Sequence, residues 1–244
     1  MKLLLSSRVE SYNPHLKGYF LAFESKRAEL NAKSSLRLFL VWFLLEGLIG
    51  PRMDILRRIH LHPPALWIRV PVLIAVALLL VSQAAKIKLK EIGLSPWREW
   101  NLIQKSYFIQ ILLISNAAFI LNLAHPILKL LSDESMWSAV ILMIVAQIGW
   151  GFYQELAYRG ILQSALVSRF GAPIGLLISN LAFTFGPLHY YHFAGSHASI
   201  NFSIIFATGL FFSLLFWKSN NLWLVGTLHG IGDIYIDGLH TISK

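Results

Sequence analysis

Residues 137–170 read WSAVILMIVAQIGWGFYQELAYRGILQSALVSRF, and this stretch decides the fold. Its first half is almost wholly apolar. Its second half carries Gln154, Glu155 and Arg159 on what reads as one continuous helix from Trp137 to Val167. A membrane-crossing helix needs roughly 20 mostly apolar residues. An ionisable side chain within such a helix is costly and marks a functional site by default. A spacing of four puts Glu155 and Arg159 on one helix face, acid before base, which is the favoured order. Taken alone the pair has a plainer reading, a structural ion pair that neutralises itself.

Working outward, comparable apolar runs fall at 36–50, 66–85, 106–128, 136–160, 172–190, 199–217 and 221–238. They predict an all-α polytopic membrane bundle of about seven transmembrane helices. Pro51, Pro63, Pro64 and Pro96 lie in or beside the connections, where helix breakers belong. Composition agrees: 56% of the 244 residues are hydrophobic and 14% charged, against about 25% charged in a soluble domain. Three regions follow: a basic N-terminal arm (1–35), N-terminal membrane helices (36–135) and a polar-studded helical core (136–238).

The net charge of +9 comes from Lys and Arg lying between the apolar runs. There they act as topology anchors rather than as a nucleic-acid face. Their bias puts the N-terminus in the cytoplasm, against the pull of Arg52, Arg57 and Arg58 in the first outer loop; the expected setting, taken separately from charge, is a bacterial inner membrane. Tyr19, Phe20, Leu21 and Phe23 sit among the basic residues of the arm, which reads either as an amphipathic segment on the bilayer surface or as a cytoplasmic arm. The absence of cysteine excludes a disulfide framework, a Cys-based zinc site and a thiol nucleophile.

Two further polar pairs with helical spacing follow Glu155 and Arg159. In FGPLH, His189 comes four residues after Phe185 on a helix expected to run from Leu176 to Tyr191, with Asn180 its other polar member. Tyr190, Tyr191 and His192 continue it as an interfacial aromatic belt, and His192 and His197 read as solvated. In HGIGD, His229 and Asp233 share a face, and Gly226, Gly230 and Gly232 let a neighbouring helix approach closely. Asn116 and Asn122 are expected to bond between helices. Glu46, in LLEGLIG, is expected to pair with an arginine or to snorkel.

Peptide hydrolysis needs a general base to activate water and donors for the developing oxyanion. Glu155 with His189 is expected to supply the first, and His229 oriented by Asp233 the second. Arg159 would hold Glu155. Gln154, Phe185 and Asn180 are the expected substrate-side residues. Two histidines and a carboxylate are also a common zinc set, so a divalent metal, if one binds, would sit among Glu155, His189 and His229. The helix-borne HExxH is absent, and no metal is firmly expected.

The order QELAYR at 154–159, FGPLH at 185–189 and HGIGD at 229–233 resembles the CAAX protease and bacteriocin-processing family. These are intramembrane endopeptidases that include type II CAAX prenyl endopeptidases and bacterial Abi proteins. The resemblance covers roughly 136–238. It implies an all-helical membrane protease acting near the C-terminus or propeptide of a membrane-associated or secreted protein with an apolar C-terminal segment. It also implies that a glutamate and the first histidine activate water, while the second histidine and Asn or Asp hold the oxyanion, in a glutamic or metallo mechanism. One departure stands out: the family usually has two adjacent glutamates, and here the first is Gln154. A non-catalytic membrane scaffold or immunity protein is therefore one alternative, and a proton-coupled transporter a second.

Overall fold

A computed structural model describes residues 30–49, 66–189 and 197–239. The N-terminal arm up to residue 29, Arg52, Arg57, Arg58, and the aromatic belt at 190–192 lie outside the described residues. Among the described residues all regular structure is helical. The elements are α1 (Ala32–Trp42), α2 (Leu66–Leu79), α3 (Leu102–Leu131), α4 (Trp137–Glu155), α5 (Ser164–Phe170), α6 (Ala172–Phe185), α7 (Ala198–Ser219) and α8 (Leu222–Asp233).

Local chemistry sets several boundaries. Asn101 caps α3 by accepting from the Gln104 amide while the Gln104 side chain returns the bond, and Asn221 caps α8 by accepting from the Leu224 amide. Inside α3, Leu123 leaves helical geometry (φ −118°, ψ 22°), three residues before Pro126, which cannot donate to the helix ladder. Gly171, at φ +81°, reverses the chain between α5 and α6, a conformation that disfavours any side chain.

Four described segments are long and apolar enough to cross a membrane: Trp67–Ala84, Leu102–His125, Glu134–Phe170 and Ala198–Ser219. Ala172–Phe185 is apolar but shorter. The expected span at 136–160 therefore continues to Phe170, and the one at 172–190 ends early. This is an integral membrane bundle, and its outer surface is accordingly apolar. Leu102 and Leu121 on α3 are each 82% exposed.

Lipid tails are as apolar as leucine, so helix association must come from close packing and polar bonds. Helices α4 and α8 approach very closely. A Cβ on Gly151 would lie 2.5 Å from the Gly230 nitrogen, and one on Gly230 would lie 2.7 Å from the Ile148 Cα. Gly226 is pressed against Phe152 in the same crossing. Gly232 departs from expectation, since nothing lies within 4 Å of its would-be Cβ. It is two residues beyond Gly230, about 200° round the helix from the contact, and lines a cavity instead. Asn116 accepts from the Tyr235 hydroxyl at 2.9 Å, joining α3 to the segment after α8. Asn122, expected to do likewise, donates to the Ala118 carbonyl of its own helix.

The largest buried cluster joins Leu38, Val41 and Leu45 near α1, Ala77 and Val81 near α2, and Phe216 and Leu222 at the α7–α8 turn. Leu156 and Ile161 complete it from a wide turn, Leu156–Gln163, in which α4 loosens into π-helix before α5 begins. Such π segments recur at functional sites.

Candidate functional site

The site is built around that wide turn. Glu155 ends α4 and Arg159 lies within the turn, and both side chains are completely buried. Arg159 Nε stands 3.3 Å from Glu155 Oε2, an ion pair whose alignment falls short of a hydrogen bond. The same guanidinium donates through Nη2 to the Gly209 carbonyl of α7 at 3.0 Å and lies 4.3 Å from the centre of the Phe183 ring. Arg159 thus ties the wide turn to α6 and α7 as well as holding Glu155.

The other Glu155 oxygen is taken by α8. His229 Nδ1 lies 2.7 Å from Oε1, across the glycine-lined crossing of α4 and α8. On the far side of the ring, Nε2 is 3.5 Å from Asp233 Oδ1. The expected i, i+4 pairs are both present, and the structure links them into one run: Arg159, Glu155, His229, Asp233. The His229 ring is stacked on Phe212 of α7, with 5.0 Å between centres and 16° between planes.

His189 is brought to the same place by a different route from the one its spacing suggests. Helix α6 stops at Phe185, and Gly186 and Pro187 lead into a turn closed by the His189 amide bonding to the Gly186 carbonyl at 3.1 Å. His189 is therefore not on the helix. Its Nδ1 lies 2.7 Å from the Phe183 carbonyl. A carbonyl only accepts, so Nδ1 carries the hydrogen and Nε2 is the ring's acceptor in the neutral form.

His189, His229 and Asp233 line one cavity of about 300 Å³, walled by Phe183, Thr208 and Phe212. Glu155 and Arg159 do not line it. They lie behind His229. The two Glu155 oxygens face His229 and Arg159 rather than the cavity that His189 lines.

The three expected substrate-side residues fall elsewhere. Gln154 is buried in α4. Phe185 is 45% exposed on the bundle surface, its ring 5.0 Å from that of Phe202. Asn180 is fully buried and donates to the Phe206 carbonyl at 3.0 Å, joining α6 to α7. On α6 the aromatic residue that does reach the site is Phe183, 4.7 Å from the His189 ring and 6.1 Å from the His229 ring. The Gly186–Pro187 pair was the available signal: it ends the helix early and separates Phe185 from His189.

Glu46 does not snorkel, and among the described residues it meets no arginine. It is 1% exposed and accepts from the hydroxyls of Tyr153, at 2.7 Å, and Tyr158, at 3.1 Å.

A zinc ion shared by Glu155, His189 and His229 does not fit this donor set. Glu155 and His229 spend their facing atoms on each other, and His189 Nδ1 is committed to a carbonyl. Among the described residues, no group of three or more His, Asp or Glu is placed to hold a metal ion.

Comparison with curated proteins and with solved structures finds no match. A family model does match: type II CAAX prenyl endopeptidase Rce1-like, over residues 135–235, the segment that runs from the start of α4 through His229 and Asp233. The resemblance carried by QELAYR, FGPLH and HGIGD is thereby shown: over residues 135–235 the chain is similar to the Rce1-like family.

Proposed function

We propose that the chain is an intramembrane peptidase that hydrolyses a peptide bond in the cavity between α6, α7 and α8. Its substrate class is a membrane-associated or secreted protein cut near an apolar C-terminal segment or propeptide. Its setting is a bacterial inner membrane with the N-terminus on the cytoplasmic side. The single observation that carries this reading is the convergence of both motif histidines and Asp233 on one cavity inside an apolar bundle, with Glu155 sealed behind His229.

The chemistry divides among the residues as follows. His189 Nε2, the acceptor nitrogen, takes a proton from water as the water oxygen attacks the scissile carbonyl carbon. The carbonyl oxygen gains the electron pair and accepts from His229 Nε2–H, displacing the longer contact to Asp233. On collapse the proton held by His189 passes to the leaving amine, and the carboxyl product departs. Glu155 never touches substrate. It fixes the His229 ring through Nδ1–H, much as a buried carboxylate orients the histidine of a serine-protease triad, and Arg159 fixes Glu155.

The test is cleavage of C-terminal peptides, prenylated and unprenylated, by the detergent-purified protein, followed by mass spectrometry. His189→Ala and His229→Ala should each lower turnover by about 10²–10⁴-fold, the range for loss of an acid–base group. Full turnover in either variant would overturn the assignment.

One observation favours a second reading, a non-catalytic relative: Gln154 occupies the first glutamate position, and the remaining carboxylate, Glu155, is walled off from the cavity. That reading predicts an inert wild type in which Gln154→Glu creates cleavage.

A further inference from the structure

Glu46 is the one fully buried carboxylate that the proposed chemistry leaves unused among the described residues. It sits on a π-helical extension of α1, Phe43–Ile49, inside an apolar bundle, and no ion pair reaches it among the described residues. A bare carboxylate there is costly and persists only where donors satisfy it. Its donors are two tyrosine hydroxyls, one on each oxygen, from a different helix.

The placement of those tyrosines is informative. Tyr153 and Tyr158 bracket Glu155 and are five residues apart. In a regular α-helix five positions advance by about 140° round the axis, so the two rings would diverge. Tyr153 stands in the last α-helical turn of α4 and Tyr158 inside the wide turn from Leu156 to Gln163, where i→i+5 bonding changes the rotation per residue. Both hydroxyls can then reach one carboxylate. Trp42 of α1 closes the contact edge-on against the Tyr158 ring at 5.9 Å. On its other side Tyr158 meets the Phe183 ring at 5.3 Å, the same ring that lies over Arg159 and beside His189.

The geometry points to Glu46 as a positioning residue that clamps the α-to-π transition through Tyr153 and Tyr158, and so sets the Glu155–His229 contact. The clamp chooses the wide turn over an α-helical one. An α-helical turn would rotate Arg159 relative to α7 and free Glu155 from His229. The inference rests on the reading that Glu155 acts through His229.

The test uses full-length protein labelled with ¹⁵N-histidine in lipid nanodiscs, with His229 assigned by loss of its signal in His229→Gln. Wild type is expected to show a protonated, carboxylate-bonded Nδ1. Glu46→Ala should shift or broaden that signal and lower kcat by roughly 10–100-fold with KM little changed, as losses of outer-shell partners do. Glu46→Gln, which keeps one acceptor oxygen, should fall between. The double variant Tyr153→Phe with Tyr158→Phe should reproduce the loss, and adding Glu46→Ala to it should add nothing further. If Glu46→Ala does not fold, the double tyrosine variant, which removes only two hydroxyls, carries the test. A wild-type His229 signal in a folded variant, or additive losses, would overturn the inference. The nitrogen signal needs no turnover, so an inert wild type would refute the peptidase while the clamp was still decided.

Discussion

Gly151→Ala should loosen the site without touching any residue that does chemistry. The new methyl would start 2.5 Å from the Gly230 nitrogen and 2.7 Å from its Cα, both backbone atoms that cannot swing aside. Ordinary contact needs about 3.5–4.0 Å, so α4 and α8 must part by about 1 Å at the crossing. The Glu155–His229 bond spans that same crossing one helical turn away, at 2.7 Å. Lengthened by about 1 Å, it leaves the hydrogen-bond range of roughly 2.7–3.2 Å. Overpacking costs about 1–3 kcal/mol, and a 1 Å misplacement costs turnover about 10²-fold. Thermal unfolding in detergent gives the first quantity, and peptide cleavage or the His229 ring nitrogen signal gives the second. Gly232→Ala is the control on the same helix, since nothing lies within 4 Å of its added methyl, and it should melt like wild type. Wild-type melting and an unchanged His229 signal in Gly151→Ala would refute the argument that the glycine crossing sets the site.

Arg159→Lys should destabilise the protein by about 3–5 kcal/mol, the cost of breaking a buried pair, because one ammonium cannot meet both Glu155 and the Gly209 carbonyl as the guanidinium does; urea or thermal unfolding measures it. Tyr235→Phe removes the bond to Asn116 between the C-terminal segment and α3 and should cost about 1 kcal/mol, read as a lowered melting temperature. Chelation with EDTA should leave both melting and cleavage unchanged, since Glu155, His189 and His229 are bonded to one another and to a backbone carbonyl; recovery of lost activity by added zinc would contradict this.

The sequence carried the membrane class and the local pairs because both depend on short-range pattern. Apolar length marks a span, and a spacing of four puts Glu155 with Arg159 and His229 with Asp233 on their helix faces. It did not carry the partner of Glu155. That choice depends on where α4 crosses α8, which Gly151 and Gly230 set across 79 positions of chain. Spacing also misassigned the aromatic wall. Counting four back from His189 gives Phe185, but Gly186 and Pro187 end the helix between them, and the ring that turns inward is Phe183. Glu46 was illegible for another reason. One partner, Tyr153, precedes the widening and the other, Tyr158, lies inside it, and no local rule for α-helix would bring residues five apart together.

The linked run from Arg159 through Glu155 and His229 to Asp233 alternates base and acid, with contacts of 3.3, 2.7 and 3.5 Å. In an apolar bundle each member is tolerated because its neighbour offsets its charge, and removing one leaves the next uncompensated. Their losses should therefore not add. Replacing Glu155 strands both Arg159 and His229, so Glu155→Gln with Arg159→Met should be more stable than the sum of the single variants allows, by about 0.5–3 kcal/mol of coupling. Stability restored in this way would not restore turnover, because His229 would still lack the carboxylate that fixes its ring. A double variant that regained both would mean that Glu155 serves only to balance Arg159, and the orienting role would fall.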